Sequence, residues 1–181
     1  MHFFKHLHTI NKHRHMVIRI CFKLGIGWQG LRHDLSKYSP TEFLVGVKYY
    51  QGTRSPNAVE REKLGYSTAW MHHKGRNKHH YEYWVDINMK TNRYEPVRMP
   101  LRYVKEMLAD RIAASKVYRG KDYTDSTPLE YYYARESEAK MHIDTAKLIE
   151  SWLIMLKEKG EKETFKYVKN YRKEDYGTHC N

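Results

Sequence analysis

Apolar residues recur along most of this chain at helical spacing. Between Thr9 and Leu24 the series Ile10, Val17, Ile20 or Cys21, Leu24 lies on one face of an α-helix. Thr9 is a candidate N-cap, and Gly25 and Gly27 end the pattern. A loop over Gly25 to Tyr38 follows. Ser39-Pro40-Thr41-Glu42 reads as a capping box with proline at the first helical position. It opens a helix through Phe43, Leu44, Val47 and Tyr50 that stops near Gly52. Ser55-Pro56 opens a short polar helix closed by Gly65, and Ser67 caps another through Ala69, Trp70 and His73 to Gly75.

The stretch 77–99 is aromatic and polar and reads as irregular or weakly extended. Pro100 sits at the first turn of a strong helix, Leu101 to about Tyr118. Thr127-Pro128-Leu129-Glu130 is a second capping box, opening a long helix to about Lys159. Gly160 ends that helix, and a basic one covers Glu161 to Arg172. The expected fold class is all-α with little or no strand, in a single domain spanning residues 1–181. Leu148, Trp152 and Met155 share a face that would pack on the core or on a second copy, as a homodimer.

Two polar positions interrupt these stripes. His13 falls three residues after Ile10 and four before Val17, so it lies on the buried face, whereas His15 is about 200° round and faces solvent. A buried histidine needs a ring-nitrogen partner, most simply a backbone carbonyl. Asp110 falls on the stripe Tyr103, Met107, Asp110, Ala114, Val117. A buried carboxylate without a partner costs several kcal/mol, so a cation has to meet it: a metal ion, or an arginine such as Arg14 or Arg32. His33-Asp34 can offer one nitrogen and one oxygen to a single ion, or can simply form a turn. In His72-His73-Lys74-Gly75-Arg76-Asn77-Lys78-His79-His80, two histidine pairs flank a basic turn. One pair could supply metal ligands while Lys74, Arg76 and Lys78 face a phosphate, or the segment could simply be a basic surface loop. The three-residue step from Trp70 favours His73 over His72 as the inward member.

Composition narrows the partners. The 181 residues carry 33 Lys+Arg against 21 Asp+Glu, a formal charge of +12. Such an excess points to an anionic partner: a nucleotide, another phosphorylated small molecule, or nucleic acid. With 40% hydrophobic and 30% charged residues, disorder is excluded as the general state. Arg19 and Lys23 break the most apolar run, so no membrane partner is expected. Cys21 and Cys180 cannot build a disulfide framework, which suggests the cytoplasm.

Three stretches, "HRHMV" from His13, "LRHDLSK" from Leu31 and "MPLRYVKEMLADRIAAS" from Met99, resemble the HD-domain superfamily of metal-dependent phosphohydrolases. The likeness covers roughly residues 8–118, with 127–172 as added C-terminal helices on a compact HD-domain-like bundle. It departs at the glycine of the usual signature, which is Ser36 here, and in a shorter gap between His13 and His33. The block Ala69 to Trp84 also resembles an uncharacterised family of bacteria and their phages.

The HD resemblance implies that His13, His33, Asp34 and Asp110 hold a divalent transition-metal ion (Mn, Fe, Ni, Zn or Co). Asp34 would bridge to a second ion held by His73 and His80. The implied reaction is hydrolysis of a nucleotide or other phosphate ester by metal-activated water. Lys37, Arg76 and Lys78 would neutralise the phosphate, and His79 would be the acid for the leaving oxygen. Glu42 is left out, because the capping box accounts for it. Two alternatives stand beside this: an HD-fold di-iron oxygenase, and a basic helical module that binds nucleic acid through some of its sixteen tyrosines and four tryptophans.

Overall fold

The computed structural model describes residues 2–134 and 140–176. Its architecture is all-α apart from one hairpin. The elements are α1 (Phe3–Lys23), α2 (Gly27–Gly30), α3 (Pro40–Lys48), α4 (Pro56–Leu64), α5 (Thr68–Lys74), β1 (Val85–Asn88), β2 (Arg93–Pro96), α6 (Leu101–Arg119), α7 (Thr127–Ala134) and α8 (Ile143–Asn170). Among the described residues, no helix is long and apolar enough to cross a membrane.

The core is built where α1, α6 and α8 meet. From α1 come Val17 and Cys21, with Leu24 just past its end, from α6 Val104, Leu108 and Ile112, and from α8 Ile149, Trp152, Leu153 and Leu156, all fully buried. Each of the large side chains contributes roughly 1.5–3 kcal/mol by leaving water. The apolar face of α8 is therefore satisfied within the chain. Met155, read as central to that face, sits at its edge and is half-buried. Lys105 donates to the carbonyls of Lys169 and Tyr171, satisfying the C-terminal end of α8 with a cation.

Several boundaries differ from the sequence pattern. Helix α1 begins at Phe3 rather than Thr9, because Phe3 and His6 pack on Phe43 of α3 and extend the helix. Thr9 is thus interior, and its hydroxyl donates back to Lys5 O. The expected loop 25–38 contains α2 and a 3-10 turn, Leu35–Tyr38. The stretch 77–99 contains an antiparallel hairpin with Val85 opposite Pro96. The expected single helix from Thr127 to Lys159 is two helices. His142 leaves helical geometry and caps α8, its Nδ1 accepting from Asp144 N. At Gly160 helical geometry breaks as the sequence pattern expects (φ 74°, ψ 175°), so α8 is two helices joined across that kink, the second ending at Asn170.

The axis of α6 is also rotated. Val104, Leu108 and Ile112, at four-residue steps, face the core, and Asp110 lies on the flank with its side chain 18% exposed. The residues from Val104 to Ala109 are all buried because α1, α7 and α8 cover a wide arc of this helix. That arc includes Glu106, which matters below.

Helix α2 fixes where the His33-Asp34 doublet sits. It packs on α1 so closely that a Cβ on Gly30 would lie 2.5 Å from Cys21 Cβ. Gly30→Ala is therefore expected to cost about 1–3 kcal/mol through overpacking. An unchanged urea midpoint would show that this approach is not required.

His6 supplies a second test. Burial first, and then the charge of Lys37, lower its pKa from 6.5 to about 4. Below pH 6.5 the unfolded chain therefore binds a proton that the folded chain accepts only near pH 4. Stability falls as pH drops through that window. His6→Leu should flatten the decline, which equilibrium unfolding at pH 4, 5 and 6.5 would reveal as a smaller pH slope than in the wild type.

Candidate metal centre

Asp34 is the centre of the site. It is fully buried and lies in the left-handed region (φ 53°), a conformation Asp tolerates better than most residues. Arg14 holds the surrounding loop, donating from Nε to His33 O (2.8 Å) and from a terminal nitrogen to Leu31 O (3.1 Å). Neither Arg14 nor Arg32 pairs with Asp110, whose partner is His13, with Nε2–Oδ1 at 3.0 Å.

Each oxygen of Asp34 faces a different set of imidazoles. Oδ2 lies 3.2 Å from His33 Nε2 and 3.7 Å from His13 Nε2. Oδ1 lies 3.3 Å from His73 Nε2 and 3.5 Å from His79 Nε2. The far nitrogens of these rings are held by buried carboxylates. Glu106 Oε1 meets His33 Nδ1 at 2.9 Å and His79 Nδ1 at 3.3 Å, and Glu42 Oε2 meets His73 Nδ1 at 2.7 Å.

A carboxylate only accepts, so Nδ1 of His33 and of His73 carries the hydrogen, and in the neutral rings each Nε2 presents a lone pair. Those lone pairs point at the lone pairs of Asp34, and His33 Nε2 also lies 3.4 Å from His13 Nε2. Asp34 Oδ2 meets the Lys37 ammonium, but Oδ1 has no hydrogen-bond donor satisfying it, and His79 Nε2 and His80 Nε2 are buried without a hydrogen-bond partner. Acceptors converging on acceptors repel unless positive charge lies between them. Two groups, His13/His33/Asp34/Asp110 and Asp34/His73/His79/His80, could each hold a metal ion, the ligand atoms within each group lying within 4.8 Å of one another. Asp34 belongs to both.

The charges follow from this crowding. Burial works against ionising Asp34, but His33, Lys37 and His73 hold its pKa well below the usual range. Asp110 behaves likewise through His13 and His33, and Glu106 is lowered to about 2, with burial opposed by bonds from His33 and His79. Burial disfavours the charged form of His33, yet Asp34 raises its pKa well above 6.5, so without an ion a proton on Nε2 supplies the positive charge facing Asp34, and an ion binding there displaces it. His80, beside His79 and His73, is pushed down by burial and by their charges, which leaves it a neutral donor atom.

All six residues read as metal ligands in the sequence (His13, His33, Asp34, His73, His80 and Asp110) fall in these two groups. His79, read as a catalytic acid, stands among the candidate ligands, 1% exposed. Lys37 is beside the group, Nζ 2.5 Å from Asp34 Oδ2. The basic turn is placed differently from expectation. Arg76 and Lys78 are exposed and line a cleft with Trp28 and Arg102, and half-buried Lys74 is not part of that lining.

Glu42 and Glu106 were not legible as site residues. The Ser39 side chain makes no capping bond, and the Glu42 carboxylate turns to His72 and His73 instead of back to the helix start. Glu106 had a signal, standing one turn before Asp110 on the same helix. Ser36, where the HD signature has glycine, accepts from Asn77 Nδ2 at 2.7 Å, and that amide also donates to the His73 carbonyl at 2.8 Å.

Among known proteins, the Family of unknown function designated DUF5662 matches residues 2–155. The chain belongs to this family. No curated protein and no solved structure matches it. The matched span takes in every candidate ligand of this DUF5662 protein and the carboxylates behind them.

If Glu106 and Glu42 orient the imidazoles, Glu106→Gln and Glu42→Gln should weaken divalent-metal affinity by about 10–100-fold with helicity retained. Titration of metal-free protein measured by calorimetry, alongside circular dichroism, checks this. Wild-type affinity in both variants would refute the orienting role.

Proposed function

We propose that this protein is a metal-dependent phosphohydrolase acting on a phosphate ester. The observation that carries the reading is the buried Asp34 carboxylate set between two groups of imidazole Nε2 atoms, with carboxylates on the opposite nitrogens. This donor set suits one or two divalent transition-metal ions. The ordered series His13, His33-Asp34, Asp110 resembles the HD-domain superfamily and supplies the reaction class.

When bound, the metal would lower the pKa of a water toward ~7 and polarise a phosphoryl oxygen. The chain's own residues do the rest. Asp34 and Asp110 balance the cationic charge and fix its position. Glu106 and Glu42 keep Nδ1 of His33 and His73 protonated, so that Nε2 remains the donor atom. Lys37, half-exposed at the edge of the group, is placed to bind a phosphate oxygen and offset negative charge that grows in the transition state. His79 acts as a ligand in this reading, so the proton for the leaving oxygen comes from solvent or from the substrate side. The net positive charge of the chain draws anionic substrates toward the site.

The test is metal content by mass spectrometry together with hydrolysis of a panel of nucleotides and simple phosphomonoesters and diesters. His33→Ala, Asp34→Asn and Asp110→Ala should lose bound metal and at least roughly a hundredfold in kcat/KM, since metal activation is worth several kcal/mol. Lys37→Ala should keep the metal and lose kcat. Unchanged metal content in all three ligand variants sinks the proposal. The same donor set also suits a di-iron oxygenase, and an iron-loaded, coloured protein that consumes oxygen only with substrate would favour that chemistry instead.

A further inference from the structure

We propose that the cleft behind the metal-group histidines is a separate nucleotide-binding site, taking a nucleoside diphosphate or triphosphate. The cleft has a volume of about 400 Å³ and is walled by Trp28, Arg32, Arg76, Lys78, Arg102 and Tyr103. Four cations therefore share one concave surface. Among the described residues none of the four has a carboxylate partner: the Arg76 side chain donates only to His72 O, Lys78 lies over the Tyr83 ring, Arg102 lies over Tyr103 and donates to its hydroxyl, and the Arg32 guanidinium makes no polar contact. One acidic side chain, Glu106, reaches the cleft floor, and it is already committed. Its Oε1 faces His33 and His79, and its Oε2 accepts from Gln29 at 2.5 Å. Like charges held together without a counter-ion repel, and an anion of two or more charges resolves this.

The apolar part of the wall explains why the anion is a nucleotide. Trp28 is 84% exposed, the second residue of α2, and no ring of the described chain stacks on it. An indole held in water over a basic cleft is a stacking platform for a base. Tyr103 is less suited, since the Arg102 guanidinium covers its ring at 4.7 Å. The amides on the floor are also committed: Gln29 donates to Glu106 and to Arg102 O, and Asn77 to Ser36 and His73 O. With no free amide to read a base edge, the site should discriminate little among bases.

The cleft is distinct from the reacting face of the metal group. It meets the group at Glu106 and His79, on the side where Glu106 contacts the Nδ1 edges of His33 and His79, while the Nε2 edges face Asp34 and Asp110. The proposal does not rest on the phosphohydrolase reading, so it is tested on metal-free protein in excess EDTA.

Calorimetry and tryptophan fluorescence with ADP and GDP should show saturable one-to-one binding with similar affinities. Trp28→Ala and the Arg32→Gln/Arg102→Gln double variant should each weaken it by roughly tenfold or more. These side chains are exposed, and circular dichroism verifies that the variants fold. Inorganic pyrophosphate should bind at least roughly tenfold more weakly than ADP, because it lacks the base. The proposal is overturned by absence of saturable binding, by wild-type affinity in Trp28→Ala, or by equal affinity for pyrophosphate. It is equally overturned if single-stranded oligonucleotides bind more tightly than ADP with affinity rising with length, which marks a nucleic-acid surface. None of these outcomes alters the metal-content assay on which the enzymatic reading depends.

Discussion

A carboxylate with no access to water dominates this molecule. Asp34 is buried in a ring of imidazole nitrogens, and the cost of an uncompensated charge at such depth is several kcal/mol. Everything around it offsets that cost. Lys37 supplies one fixed positive charge, and His13, His33, His73 and His79 bring nitrogen atoms to its two oxygens. Because the outer nitrogens of His33 and His73 are engaged by Glu106 and Glu42, the inner ones present lone pairs whenever the rings are neutral. A site with this much acceptor density is organised for cations.

The fold is arranged to deliver these groups to one point. Helix α1 contributes His13 from its buried stripe, and α6 contributes Glu106 and Asp110 one turn apart. The tight contact of α2 on α1, made by Gly30 against Cys21, carries the chain into the left-handed turn at Asp34. Helices α3 and α5 pack together so that Glu42 reaches His72 and His73. Helix α8, by contrast, contributes no ligand. It buries Trp152, Leu153 and Leu156 and holds α1 and α6 in place.

The basic cleft and the metal group share Glu106, and this gives the two sites a physical connection. A ligand near Gln29 sits two hydrogen bonds from His33 and His79. The excess positive charge of the chain is thus unevenly used, with Lys37 in contact with the central carboxylate and Arg32, Arg76, Lys78 and Arg102 gathered behind it.

The amino-acid sequence alone determined the all-α class, the buried position of His13, the serine cap at Ser67 and the ordered His/Asp series, because each depends on local periodicity or cap chemistry. It did not determine the orientation of α6, whose burial on several sides hides its true axis from a single stripe. It also misplaced Glu42, since a glutamate three residues after a serine can cap its own helix or reach across to another, and only the partner's position selects between them. The break at His142 was likewise decided by how α7 and α8 pack, whereas the break at Gly160 was legible from the glycine itself. The junction of two metal-ligand groups at Asp34 is a tertiary property: His13, Asp34, His73 and Asp110 are far apart along the chain, and only the packing of α1, α5 and α6 around one turn brings their lone pairs together.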